Sequence, residues 1–179
     1  MNTLLAISAL LFTIFLMQAG SGALGPLDVL SAIEMGFTST QIGSIGGAHF
    51  VGFIIGCIIS PALVKRVGHA RAYGVVASLA IMAVILHPVL PYFWAWLMLR
   101  IFNGIAIAGS FTAIESWLNA KLNNQNRVRY FSFYRTIDMV GGLVAQIMII
   151  VLLPAHFVSY TVIAVLICLS LLPLGLTQS

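Results

Sequence analysis

Residues 41–71 read QIGSIGGAHFVGFIIGCIISPALVKRVGHAR, a stretch with no formal charge before Lys65. Coiled as an α-helix, the 23 residues 41–63 reach about 34 Å at a rise of ~1.5 Å per residue, enough to cross the hydrocarbon core of a bilayer. Lys65 and Arg66 follow at once, and such basic residues favour a loop on the cytoplasmic side of the membrane. The stretch therefore predicts a transmembrane helix that ends in a short basic loop.

The composition of the whole chain is that of a membrane protein. Of its 179 residues, 61% are hydrophobic and 7% are charged, which leaves too little polar surface for a water-soluble domain. The net charge of +4 comes from few basic residues, and these sit where membrane topology would put them, so we do not expect a nucleic-acid partner. Cys57 and Cys168 lie in apolar runs without disulfide or metal spacing. We expect the lipid bilayer to be the chain's immediate surroundings.

Six apolar runs follow one another along the chain. We predict transmembrane helices at about residues 2–24, 41–63, 72–87, 92–117, 130–153 and 158–176. Gly25-Pro26 is a helix-breaking pair, so we expect the first helix to end there and Asp28 and Glu34 to lie in a polar loop. The prediction is an all-α membrane protein that forms one six-helix bundle over residues 1–179.

Lysine and arginine are concentrated in alternate loops, and the first, third and fifth loops hold none. Because basic residues beside a span are retained in the cytoplasm, the second and fourth loops are expected to be cytoplasmic. Both chain termini then lie in the cytoplasm of an inner-membrane, multi-pass protein. The basic residues in or beside these two loops are Lys65, Arg66, Arg71, Lys121, Arg127, Arg129 and Arg135.

Arg100 lies inside the predicted fourth span. If this helix begins near Tyr92, Arg100 is about 12 Å deep, and a charge at that depth usually serves a cavity, a partner or a substrate. Asn103 shares its helical face, and Gln18 on the polar face of the first helix offers hydrogen bonds. We expect Arg100 to face a polar cavity rather than lipid and to bind substrate or to couple transport. The alternative is a structural tie between helices.

Asp138 shares one side of the fifth helix with Gly141, Gly142 and Ala145. This stripe of small and polar residues suits a packing seam, or the wall of a transport pathway with Asp138 as a proton or cation site. Small residues four apart in the second helix indicate close helix packing. These pairs are Gly43 with Gly47 and Gly52 with Gly56.

Glu115 lies fifteen residues after Arg100, about 22 Å along the helix, so the two side chains cannot pair. Its natural partners are Arg66 or Arg71 in the second loop, or Arg127 and Arg129 in its own loop. We expect Glu115 to pair with Arg66 or Arg71 and so to hold the second loop against the fourth helix. The alternative is a solvated acid at the end of a helix.

The second loop resembles a signature of the major facilitator superfamily that lies between the second and third helices. Arg66, Gly68 and Arg71 match the signature, whereas Lys65 stands where aspartate is usual and His69 where a basic residue is usual. The resemblance supports a loop-locking role for this charged region.

The fourth helix carries a second resemblance to the same family. The run Arg100-Ile-Phe-Asn-Gly104 is similar to the family motif of arginine, two residues, glutamine and glycine, with Asn103 in place of glutamine. Glu115-Ser-Trp-Leu-Asn119, followed by Arg127, is similar to an uncharacterised bacterial subgroup of the family. Together the motifs extend the resemblance over essentially the whole chain.

In that family, two six-helix bundles enclose a solute site near the middle of the membrane. The resemblance implies that this chain is the amino-terminal bundle of a secondary transporter of a small solute. The expected partner is a second six-helix half or another membrane subunit. The alternative function is a non-transporting membrane subunit that binds a partner complex. The sequence has no carboxylate pair, His/Cys cluster or nucleophile and base at usable spacing, so we expect no enzymatic activity, cofactor or metal.

Overall fold

The computed structural model describes residues 3–175, and every regular element in that range is an α-helix. Five segments are long and apolar enough to cross a membrane, at Ala6–Glu34, Ser39–Val67, His69–Val89, Phe93–Lys121 and Phe157–Gly175. The helices are α1 (Thr3–Glu34), α2 (Ser39–Val67), α3 (His69–Val89), α4 (Phe93–Lys121), α5 (Arg127–Met148), α6 (Phe157–Leu169) and the short α7 (Leu171–Gly175).

The fifth predicted span corresponds to α5, which is helical but is not among the five apolar segments. Its sequence contains Arg127, Arg129, Arg135 and Asp138, and these charges reduce its apolar character. The structure thus confirms five of the predicted spans as apolar helices of sufficient length. Membrane crossing by α5 stays a prediction.

The first helix is longer than the sequence suggested, because α1 continues through Pro26 and ends at Glu34. The expectation that Gly25-Pro26 ends this helix is wrong. Proline removes one backbone N–H and crowds the preceding turn, but neighbouring helices let a membrane helix tolerate this break. Asp28 therefore lies inside α1 rather than in a loop.

Short, well-defined turns join the first three helices. The Thr38 hydroxyl accepts a hydrogen bond from the Gln41 backbone N–H at 3.3 Å, and the Gln41 side chain accepts one from the Thr38 N–H at 2.9 Å. This reciprocal capping box fixes where α2 begins. Gly68 alone separates α2 from α3, and its φ of 85° is a conformation that favours glycine.

The helices are arranged so that each packs on its neighbours in the order α5, α1, α6, α3, α4, α2. The most extensive packing joins α2 to α4, whereas α1 and α4 touch over a much smaller area. One side of the bundle between α2 and α5 is consequently concave, with α1 and α4 behind it. We call the end that carries the α2–α3 and α4–α5 connections the basic end, and the other the opposite end.

Glycines allow the close approach of α2 and α4. A Cβ atom on Gly52 would collide with the carbonyl oxygen of Ile101, and one on Gly104 with that of His49. A Cβ on Gly56 would lie 2.7 Å from that of Ala108. The packing role predicted for Gly52 and Gly56 is confirmed. Gly43 and Gly47 have open space instead, so the same prediction is wrong for that pair.

We predict that Gly52→Ala lowers the free energy of unfolding by about 1–3 kcal/mol, because the new methyl group has no room against the α4 backbone. The matched control is Gly47→Ala, in the same helix but beside open space. The control should be neutral or slightly stabilising, since alanine is the better helix former. Thermal and denaturant unfolding in detergent measure both variants, and equal stability of the two would contradict the packing analysis.

We also predict that the basic end lies in the cytoplasm. Ser39 and Asn124 are exposed at opposite ends of the bundle, so Ser39→Cys and Asn124→Cys can be compared after Cys57 and Cys168 are replaced by alanine. A membrane-impermeant maleimide added to intact cells should label only the cysteine at position 39. Labelling at position 124 before the cells are permeabilised would reverse the predicted topology.

Candidate functional site

A buried carboxylate is the centre of the candidate site. Asp28 in α1 is 1% exposed and is surrounded by side chains from three other helices. Its Oδ1 accepts a hydrogen bond from the Tyr160 hydroxyl of α6 at 3.0 Å. Its Oδ2 lies 3.5 Å from Nη1 of Arg100 in α4 and 3.4 Å from Nε2 of His87 in α3. We call these four residues the Asp28 cluster.

Arg100 is inside the bundle and 7% exposed, next to its counter-ion. It lies seven residues after the start of α4, and Asp28 lies six before the end of the antiparallel α1, so both are about 10 Å from the opposite end. Asp28 and Arg100 are therefore at the same depth in the bundle. A buried guanidinium without a carboxylate would cost several kcal/mol, and Asp28 offsets that cost.

Three members of the Asp28 cluster were missed by the sequence reading, which selected only Arg100. Asp28 continues the polar face of the first helix on which Gln18 lies, because Gln18, Ser21, Gly25 and Asp28 follow one another at three- and four-residue intervals. Extending that face past Pro26 would have found it. No comparable pattern marks His87 or Tyr160, whose proximity to Asp28 depends on how α3 and α6 pack.

A cavity of about 310 Å³ opens on the concave side of the bundle, between α1, α2 and α4. Gln18 lines this cavity, as does His49, which lies beside Asn103. Asn103 is buried, and its Nδ2 has no hydrogen-bond partner; neither has Nδ1 of His49. The cavity lining is Gln18, Ser21, Gly22, His49, Phe50, Phe53, Ile107 and Phe111.

The structure brings Arg100, Asn103 and Gln18 towards one region of the bundle, but it divides them between two environments. Arg100 belongs to the Asp28 cluster, and a small pocket of about 20 Å³ beside it is also lined by Gly25 and Gly46. Gln18 lines the larger cavity. The cavity therefore offers hydrogen-bonding groups and aromatic rings. The charged side chains Asp28 and Arg100 are not part of its lining and belong to the Asp28 cluster.

A second charged cluster occupies the other half of the bundle. Glu115 accepts a hydrogen bond from the Tyr134 hydroxyl at 3.2 Å and lies 3.2 Å from Nη2 of Arg135. Arg135 also contacts Asp138 at 3.7 Å, and the Oδ1 atom of Asp138 is buried without a partner. Asp138 thus joins Glu115 and Arg135 rather than Arg100.

The expected pair between Glu115 and Arg66 or Arg71 does not form; Glu115 pairs with Arg135 instead. Depth explains the difference. Glu115 is six residues from the end of α4 and Arg135 eight from the start of α5, so both lie about 9–12 Å from the basic end. Arg66 and Arg71 are within two residues of their helix ends and are exposed.

No group of three or more His, Cys, Asp or Glu side chains suited to a metal ion occurs within residues 3–175. His87 and Asp28 are the one neighbouring pair of these residue types in the Asp28 cluster, and Arg100 occupies the third side of the carboxylate.

Comparison with known proteins identifies a family. The family model of the Major Facilitator Superfamily matches residues 10–177. The uncharacterized MFS-type transporter YcaD of Salmonella arizonae is 24% identical over 143 residues, which are 80% of this chain and 37% of that protein. The uncharacterized MFS-type transporter Ent638_1421 of Enterobacter sp. strain 638 is 25% identical over 140 residues, with 78% and 37% covered.

Solved structures show the same fold. The nucleoside transporter NupG aligns with a TM-score of 0.76 at 18% identity, covering 100% of this chain and 45% of that one. A D-xylose-proton symporter aligns with a TM-score of 0.68 at 16% identity, covering 99% and 48%. The chain therefore spans less than half the length of these relatives and structural neighbours.

We predict that Asp28→Asn lowers the free energy of unfolding by about 3–5 kcal/mol, because it leaves the Arg100 guanidinium buried without a counter-charge. Adding Arg100→Gln to Asp28→Asn should recover part of the loss, since no charge is then buried there. Glu34→Gln, an exposed acid in the same helix, is the control and should change stability by less than about 0.5 kcal/mol. If the double variant loses as much stability in a denaturant titration as the two single variants lose together, Asp28 and Arg100 are not energetically coupled.

Proposed function

Because the chain belongs to the major facilitator superfamily, we propose that it is the amino-terminal, solute-binding bundle of a secondary transporter in the inner membrane. The match over residues 10–177 is the observation that carries this proposal. Transporters of this kind bind solute between two bundles near the middle of the bilayer. The cavity on the concave side between α1, α2 and α4 is the corresponding surface here.

The solute that suits this cavity is small and uncharged. The cavity lining contains three phenylalanine rings, one glutamine, one serine and one histidine, and no carboxylate, lysine or arginine. Flat apolar rings pack against aromatic side chains, and the Gln18 amide can both donate and accept hydrogen bonds. The structural neighbours are named as transporters of a nucleoside and of D-xylose, solutes that are uncharged and carry rings and hydroxyl groups.

In this proposal Arg100 acts in coupling rather than in binding an anionic solute. Its guanidinium already faces the Asp28 carboxylate, and an anion that took the place of Asp28 would leave that carboxylate buried without a counter-charge. A buried ion pair between α1 and α4 can hold two helices in one arrangement and release them in another. Asn103, one turn further along α4, lies beside the cavity histidine, His49.

The partner that suits the concave side of the bundle is a second six-helix unit. The helices α2 and α5 form the two edges of the concave side and present large exposed apolar side chains such as Ile54 and Leu143. A second bundle would cover this side and complete the solute site. In the proposed orientation the basic end faces the cytoplasm.

The proposal predicts uptake of an uncharged ring-containing solute. The tagged chain is purified together with any six-helix polypeptide that copurifies, reconstituted into vesicles, and tested with radiolabelled uridine and D-xylose. We expect uptake of at least one of them, reduced at least about tenfold by Arg100→Lys at unchanged thermal stability. Lysine keeps the charge but loses the planar guanidinium that faces Asp28.

The control variant is Arg129→Lys, a conservative change at an exposed residue of the basic end, which should leave uptake unchanged. Uptake of neither uridine nor D-xylose by the wild-type assembly would contradict the proposed solute class. Wild-type uptake by Arg100→Lys would contradict the coupling role and leave the solute class in place.

A further inference from the structure

Gln18 has hydrogen-bonding groups that the bundle does not use. It lies on α1 and lines the cavity on the concave side. A side-chain amide carries an acceptor oxygen and N–H donors, and neither end of the Gln18 amide has a hydrogen-bond partner within residues 3–175. Water satisfies the amide in an empty cavity. A solute that displaces this water has to offer equivalent hydrogen bonds or bind more weakly.

Two glycines leave room beside the Gln18 amide. A Cβ atom on Gly142 of α5 would lie 3.6 Å from Nε2 of Gln18, and one on Gly22 of α1 would lie 3.8 Å from it. Gly22 is itself part of the cavity lining. Because no side chain at either position covers the amide nitrogen, a solute can approach it.

The other glutamine in this region is already engaged. Gln146 of α5 donates from Nε2 to the carbonyl oxygen of Gly22 at 3.5 Å, and it is not part of the cavity lining. Gln18 is therefore the glutamine that a solute in the cavity contacts.

Aromatic rings from two other helices complete this wall of the site. Phe50 and Phe53 come from α2, and Phe111 comes from α4. The lining side chains that can form hydrogen bonds are Gln18, Ser21 and His49. A solute with a hydroxyl group on nearly every carbon would place some of these groups against phenylalanine rings without a partner, which is unfavourable. A planar heterocycle lays its apolar faces against such rings and keeps its polar atoms at its edge.

The geometry of a side-chain amide favours one kind of polar edge. Its oxygen and nitrogen lie in one plane and side by side, so the group can accept from an N–H and donate to an acceptor that is adjacent to that N–H. A single hydroxyl group satisfies only one of the two. A cyclic amide or imide has the matching C(=O)–N–H edge, which lies in the plane of its ring.

We propose that Gln18 selects the solute by forming paired hydrogen bonds with the C(=O)–N–H edge of a planar cyclic amide or imide, such as a pyrimidine base. The ring of this solute lies against the phenylalanines of α2 and α4. This selection rests on the proposed function, because it takes the cavity as the solute site. It narrows the solute from uncharged rings in general to nitrogen heterocycles that carry this edge.

The test compares matched nucleosides on the full chain, purified with any six-helix polypeptide that copurifies and placed in lipid nanodiscs. Ligand-observed NMR, which detects weak binding, measures the affinities of uridine, 3-methyluridine and 5-methyluridine. The methyl group at position 3 replaces the imide N–H, whereas the methyl group at position 5 adds the same volume and leaves the edge intact. We expect 5-methyluridine to bind within about threefold of uridine, and 3-methyluridine to bind about tenfold more weakly, because it leaves the Gln18 amide unpaired. Equal affinities of the two methyl isomers would overturn the proposal.

The variant Gln18→Met tests whether Gln18 is the source of this preference. Methionine is a good helix former, and its thioether is only a weak acceptor. In this variant uridine should lose about tenfold in affinity while 3-methyluridine changes by less than about threefold, so the preference disappears. The matched control is Gln125→Met, at an exposed glutamine of the α4–α5 connection, which should bind all three nucleosides as the wild type does.

A preference for uridine over 3-methyluridine that survives in Gln18→Met would assign the recognition to another residue and overturn the role of Gln18. The comparison of the two methyl isomers on the wild-type chain needs no variant, so it still tests the proposal if Gln18→Met fails to fold.

Uptake distinguishes the role of Gln18 from the proposed function. If the nucleosides bind as expected while the reconstituted assembly takes up neither uridine nor D-xylose, the transport proposal fails and the role of Gln18 stands. If the assembly takes up D-xylose while the chain does not bind uridine, the role of Gln18 is overturned and the transport proposal stands.

Discussion

The rest of the structure depends on the need to neutralise Arg100 within an apolar environment. A guanidinium about 10 Å from the end of a membrane helix requires a counter-charge or water, and Asp28 supplies the charge. Because α1 continues through Pro26, Asp28 lies at the level of Arg100. His87 of α3 and Tyr160 of α6 lie against the same carboxylate.

Close packing by glycine complements this polar centre. The α2–α4 interface relies on backbone contact at Gly52 and Gly104, where a side chain of any size would collide. Between helices in lipid there is little hydrophobic driving force, so close van der Waals contact must hold α2 on α4. The same interface brings His49 beside Asn103 and forms one wall of the cavity. Packing and solute binding thus depend on the same pair of helices.

Charge is distributed between two clusters near the two ends of α4, with an uncharged cavity on the concave side. The Asp28 cluster lies towards the opposite end, and the Glu115, Arg135 and Asp138 group towards the basic end, about 22 Å away along the helix. The Asp28 cluster joins α4 to α1, and the group of Glu115, Arg135 and Asp138 joins α4 to α5. In the proposed transporter, ion pairs at both ends of one helix can be made and broken separately as access alternates.

Sequence by itself determined the membrane class, five of the six predicted spans and the resemblance to the major facilitator superfamily, because hydropathy and loop charge are local properties of the chain. It also identified Gly52 and Gly56 as packing residues from their spacing. Tertiary structure alone decided which charges meet. Asp28 was assigned to a loop because the effect of Pro26 depends on neighbouring helices, and Glu115 was assigned to Arg66 or Arg71 because sequence does not give the relative depth of residues on separate helices. His87 and Tyr160 became functional candidates only when α3 and α6 were seen against α1, since a buried polar contact is defined by packing in space and not by spacing along one helix.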